Sequence, residues 1–88
     1  MLVPRLSEFY GIVIYMCFAD HNPPHFHAIY GDQEALVRIV DGGIVRGGLP
    51  RTAARLVEQW RTEHVAELAA NWELAQVPAA LGSIEPLQ

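Results

Sequence analysis

Residues 9–18 read Phe9-Tyr10-Gly11-Ile12-Val13-Ile14-Tyr15-Met16-Cys17-Phe18, an almost unbroken apolar run rich in aromatic and β-branched side chains. Short and bounded by a breaker, such a run fits a strand covered on both faces. The breaker is Asp20-His21-Asn22-Pro23-Pro24. Beyond it, His25 to Tyr30 predicts a second strand, Gly31-Asp32 a turn and Glu34 to Val40 a third strand. Asp41-Gly42-Gly43 then reads as a hairpin turn into a short fourth strand at Ile44-Val45-Arg46. The first half is expected to be an antiparallel sheet of three to four strands over about residues 9–46.

Gly47-Gly48-Leu49-Pro50 ends the sheet, and Pro50 suits a first helical position. Apolar residues then recur at helical spacing: Ala53, Leu56, Val57, Trp60, then Val65, Leu68, Ala69, Trp72 and Ala75. This stretch, about 50–76, is the candidate to cover the sheet, with Trp60 and Trp72 as anchors. Two short antiparallel helices cover a small sheet better than one rod, and Thr62 suits a cap for a second helix starting near Glu63. Pro78 stops that helix, leaving a tail over 77–88 whose Ile84-Glu85-Pro86-Leu87 is available to dock back. The expected fold is α+β, one domain over 1–88, with the small antiparallel sheet packed against two C-terminal helices.

Composition narrows the chemistry. With 51% hydrophobic residues among 88, disorder is excluded, because a disordered chain lacks the apolar surface to fold. A chain this size buries only about 60–65% of its unfolded surface, so marginal stability, or help from a partner, is expected. All six basic residues are arginines, Arg5, Arg38, Arg46, Arg51, Arg55 and Arg61, which excludes Schiff-base lysine chemistry and a Walker-type loop. The net charge of -4 argues against a broad footprint for nucleic acid or anionic membrane, and leaves room for a local site touching one or two phosphates. The lone Cys17 can form neither an internal disulfide nor a cysteine-based zinc site, and within its apolar run it reads as a small core residue. No leader-like segment and no apolar run approaching about 18 residues is visible, so a cytoplasmic protein without membrane contact is expected.

The chemistry concentrates in Asp20-His21-Asn22-Pro23-Pro24-His25-Phe26-His27, where three of the four histidines fall within seven residues. On a strand His25 and His27 share one face, roughly 6–7 Å apart, while Phe26 faces the core. The two prolines make a stiff corner that holds His21 in a defined place. Three readings compete. His21, His25 and His27 form a three-imidazole site for a divalent metal such as zinc, with Asp20 orienting one ring. Alternatively His25, His27 and His21 act as metal-free acid and base, as cleavage of an RNA phosphodiester requires, with Arg38 steadying the phosphate. In the third reading the histidines bond backbone groups at the corner and shape a surface for a partner. Tyr10, Tyr15 and Tyr30 suit strands, and one of them near the histidines would offer an acid or a phosphate contact.

Phe9-Tyr10-Gly11-Ile12-Val13-Ile14, the Asp20 to Ala28 stretch with its Pro-Pro-His-Phe-His core, and Tyr30-Gly31 together resemble a small bacterial family known as domain of unknown function 4160. The resemblance continues through Gly48-Leu49-Pro50-Arg51, the Trp60 region, Asn71-Trp72-Glu73-Leu74-Ala75 and Ile84-Glu85-Pro86-Leu87. It implies the DhiT-like toxin half of a type II toxin–antitoxin pair, with His25 and His27 as the site positions carried over. A small cognate antitoxin-like protein is the implied partner, RNA a candidate substrate, and a second copy of the chain a further candidate partner. Against these stand two other classes: a non-enzymatic binding or regulatory module with structural histidines, and a metal-binding accessory protein.

Overall fold

The structure, a computed structural model, describes residues 4–88; residues 1–3, at the head of the stretch read above for a leader, lie outside the described residues. Five strands come first: β1 (Arg5–Phe9), β2 (Ile12–Tyr15), β3 (His25–Tyr30), β4 (Gln33–Arg38) and β5 (Ile44–Gly47). They form one antiparallel sheet in the order β1-β2-β3-β4-β5. Two helices follow, α1 (Arg51–Glu63) and α2 (Val65–Gln76). The fold is α+β, with five strands rather than three to four.

The strand that sequence reading missed is β1. Tyr10 and Gly11 have φ of 50° and 80°, the two left-handed residues of a tight hairpin that pairs Phe9 with Ile12. Asn-Gly or Asp-Gly is the usual sign of such a turn, and a tyrosine in the first place hides it. A register shift between Arg5 and Ser7 also breaks the alternation on β1, leaving Leu6 and Ser7 both buried. The run 9–18 is therefore the end of a hairpin, then β2, then the start of the β2–β3 connection.

One face of the sheet is the core face. Phe9, Ile12, Ile14, Phe26, Ala28, Ala35 and Val37 line it, and Ala53, Val57, Trp60, Leu68, Trp72 and Ala75 from the helices complete the same buried cluster. The Trp60 ring lies 5.4 Å from Phe9 and 5.7 Å from Phe26 between centroids. Its indole N–H donates to the Glu85 carbonyl at 2.8 Å, and the Ile84 N–H donates to the Leu6 carbonyl at 2.8 Å. The Asn71 amide exchanges two 2.8 Å bonds with the Gly82 backbone, so residues 82–87 are laid against the domain with Ile84 and Leu87 buried.

The helices part at His64, whose φ of -132° and ψ of 25° leave the helical region. Thr62 is not a cap: its hydroxyl donates back to the Gln59 carbonyl within α1. The expectation of a sheet covered on both faces also fails, because both helices lie on the Phe26 face. Val13, Tyr15, Ile29 and Leu36 on the opposite face stay half-buried. Among the described residues no helix is long and apolar enough to cross a membrane.

Candidate functional site

The site forms where the β2–β3 connection folds back over the end of β3. Met16 is fully buried and its N–H donates to the Pro4 carbonyl, while the Ala19 N–H donates to the Ala75 carbonyl at 2.9 Å. These anchors bring Cys17 and Asp20 over the open face of β3, where alternation has placed His25 and His27. Both histidines are buried, at 5% and 8% exposure.

Each imidazole is fixed by its Nδ1. That of His25 donates to the Pro23 carbonyl at 2.8 Å, and that of His27 faces Glu34 Oε2 at 2.8 Å. The same Glu34 oxygen accepts the Tyr15 hydroxyl, and the Tyr15 ring stacks on His27 with centroids 4.5 Å apart and planes 19° from parallel. Both Nε2 atoms then converge on one oxygen: Asp20 Oδ2 lies 3.0 Å from His25 Nε2 and 3.5 Å from His27 Nε2. Cys17 Sγ approaches His27 Nε2 at 3.6 Å. One ligand atom each from Cys17, Asp20 and His27 lies within 4.8 Å of the others.

The electrostatics follow from that crowding. Burial works to raise the Asp20 carboxyl, but the His21 N–H on its Oδ1 (2.8 Å) and the two imidazoles outweigh it and hold Asp20 below its ordinary range. Glu34 is lowered chiefly by the Tyr15 hydroxyl, against the pull of burial, with His27 adding to the lowering. The Tyr15 phenol is pushed far up, first by burial and then by Glu34. Burial also raises the Cys17 thiol, with the charges of Asp20 and Glu34 adding to it.

Of the predicted residues, His25 and His27 meet, with rings 5.3 Å apart and His25 also 5.3 Å from Trp72. His21 lies exposed and gives the site its backbone N–H. Arg38 pairs with His25 across β3 and β4, but its guanidinium is held by Asp41 through bonds of 2.9 and 3.1 Å. Sequence reading missed Glu34 and took Cys17 for a core residue. Tyr15 is directly opposite His27 in the β2–β3 register, and Glu34 reaches the same ring from beside Ile29 on β4. Those pairings exist only once the register is known.

Fold and site together define a small α+β domain with a histidine–carboxylate cluster at one end of an open sheet face. Residues 11–73 match the family described as Domain of unknown function (DUF4160), and the chain belongs to that family. The matched span runs from the β1–β2 turn into α2 and contains every residue of the cluster. No curated protein and no solved structure matches the chain.

Proposed function

We propose that the chain is a small binding module whose β2–β3 connection is pinned to the sheet by a divalent metal ion, zinc by its donor set. Asp20, His27 and Cys17 are the ligands, and His25, 3.0 Å from Asp20 Oδ2, positions that carboxylate from outside the set. The observation that carries the reading is the convergence on Asp20 Oδ2. With its proton on Nδ1, each ring turns a bare Nε2 lone pair toward that oxygen, and facing lone pairs repel unless a cation or a proton lies between them.

The spacings suit zinc. Bonds of about 2.1 Å to nitrogen and oxygen at the tetrahedral angle set ligand atoms about 3.4 Å apart, and a bond of about 2.3 Å to sulfur sets S and N about 3.6 Å apart. The His27–Asp20 and Cys17–His27 separations of 3.5 and 3.6 Å match those edges. Glu34 on His27 Nδ1 is the usual carboxylate behind a metal-bound histidine. The metal also reverses the problem at Cys17, since a coordinated thiol loses its proton outright. Without a metal the raised thiol makes a poor nucleophile, although Cys17, His27 and Glu34 stand in the order of a catalytic triad. Acid–base cleavage of RNA draws less support, because every ring nitrogen of the histidine pair already faces a protein group.

The toxin-like role within a type II pair rests on the family resemblance. The open sheet face supports it as a surface for a small cognate protein to cover. Titration of metal-stripped protein with zinc against a chromophoric chelator tests the metal reading: one equivalent taken up by wild type and lost in His27→Ala is expected, and no uptake by folded wild type overturns it.

A further inference from the structure

The register aligns one residue from every strand into a single row across the open face. Arg5 pairs with Tyr15, Tyr15 with His27, His27 with Leu36, and Leu36 with Arg46. With strands about 4.8 Å apart, the row is about 19 Å long between its terminal Cα atoms. It has an arginine at each end and a tyrosine stacked on a histidine near its middle.

Two grooves lie along this row, one on each side of His27. The first, about 290 Å³, is lined by Arg5, Val13, Tyr15 and Ile29; the second, about 200 Å³, is lined by His27, Glu34, Leu36, Arg46 and Gly47. Gly47 keeps the second groove close to the backbone: a Cβ there would sit 2.1 Å from the Glu34 carbonyl oxygen. Three acidic residues reach the face and all are engaged: Glu8 by Arg5 at 2.8 Å, Glu34 by Tyr15 and His27, and Asp20 by His25 and His27. Arg46 is exposed, and among the described residues no carboxylate lies within salt-bridge distance of it. The Arg5–Glu8 pair is itself exposed, and such pairs exchange partners at little cost.

We infer that this face binds a single-stranded polynucleotide laid along the row, with phosphates at Arg46 and Arg5 and a base in the apolar groove beside Tyr15. The length of the row selects a chain, since one phosphate cannot reach both ends. An aromatic ring between two cations is the ordinary means of holding single strands without reading sequence. The net charge of -4 argues against a broad footprint and leaves room for a local site that touches two phosphates. The inference adds a ligand to the binding module proposed above, but the arginines and grooves that carry it do not depend on the metal.

The test is fluorescence anisotropy with labelled oligouridylate and oligothymidylate of about ten nucleotides, using zinc-loaded and chelator-treated protein. Each phosphate neutralised on a single strand adds about 0.7 to the slope of log affinity against log salt. Wild type should therefore lose about sevenfold in affinity between about 50 and about 200 mM salt, and Arg46→Ala under about threefold. Arg5→Ala should behave like Arg46→Ala, whereas Arg51→Ala and Arg55→Ala, on the first turns of α1, should match wild type. Absence of binding by wild type, or equal losses in all four variants, overturns the inference. Zinc uptake is scored separately on the same preparations. Protein that takes up zinc and ignores both oligomers overturns this inference alone; protein that binds an oligomer without taking up zinc overturns the metal reading alone.

Discussion

Glu34→Gln puts the metal reading to its sharpest test, because it alters a group that touches no ligand position on the metal side. Glu34 Oε2 accepts the His27 Nδ1–H at 2.8 Å and also the Tyr15 hydroxyl. Glutamine keeps the volume and one acceptor oxygen but removes the charge that makes the far side of the imidazole a better donor. Loss of such an outer carboxylate typically weakens metal binding about 10–100-fold. At zinc about 100 times the wild-type dissociation constant, the metal stabilises the fold by about 2.7 kcal/mol; the variant at the same zinc retains about 0.4–1.4 kcal/mol. For a domain of this size each kcal/mol moves the Tm by about 4–8 °C. Zinc should therefore raise the Tm by about 11–22 °C in wild type and by about 2–11 °C in Glu34→Gln. Chelator-treated samples should differ by less than about 1 kcal/mol, since the Glu34 side chain is 41% exposed and its charge is screened. Melting curves with and without zinc, beside a competitive zinc titration, give both quantities. Equal zinc affinity in Glu34→Gln and wild type would refute the reasoning, because His27 would then not be held for a metal by that carboxylate.

Three further outcomes follow from the packing and the site. Asn71→Ala leaves the Gly82 N–H and carbonyl without their partners and should cost about 2 kcal/mol; the Tm should fall and the Gly82 amide exchange faster, and an unchanged Gly82 rate would show that the tail is held elsewhere. The guanidinium of buried Arg61 donates to the Ile39 carbonyl at 2.8 Å and to Glu58 at 2.9 and 2.6 Å, and the bonds to Glu58 hold that carboxyl below its ordinary range. A depressed carboxyl contributes stability that is full above its unfolded value and lost as pH falls through the folded one, so chelator-treated protein should lose stability below about pH 5, less steeply in Glu58→Gln; identical acid slopes would remove this pair as the cause. Finally, induction of the protein without a partner should arrest bacterial growth if the toxin-like role holds, and a His25→Ala, His27→Ala double variant of equal soluble abundance should not. Growth unaffected by wild type would remove that role, and arrest by both proteins would separate it from the histidines.

Legibility in the sequence tracked how local each feature was. The strands His25–Tyr30 and Gln33–Arg38 and the periodicity over α1 and α2 were readable because their apolar spacing is a property of each segment alone. β1 was not, because its alternation is broken at Leu6–Ser7 and its turn uses Tyr10 in a left-handed conformation. The histidine pair stood out by composition and by the rigid corner before it. Its true neighbours did not, because Tyr15 and Glu34 reach His27 only through pairing of β2, β3 and β4. Cys17 looked like core because its surroundings in sequence are apolar; its place in space is set by Ala19 bonding to α2 and Met16 bonding to Pro4.

Tyr15 joins the two proposals physically. Its hydroxyl rests on the carboxylate that fixes His27, its ring is stacked flat on that imidazole, and its exposed side lines the groove beside Arg5. A ligand that fixes His27 therefore also fixes the surface on which a base would stack, and it lowers the ordering cost of the second binding event. On that account zinc should raise oligonucleotide affinity and the oligonucleotide should raise zinc affinity by the same factor, since linkage between two binding sites is reciprocal. Tyr15→Phe separates contact from coupling: the ring and its stacking remain while the tie to Glu34 is cut. Oligonucleotide binding that survives in Tyr15→Phe but no longer responds to zinc would locate the link in that single hydrogen bond; an undiminished response would place it in the stacked ring instead.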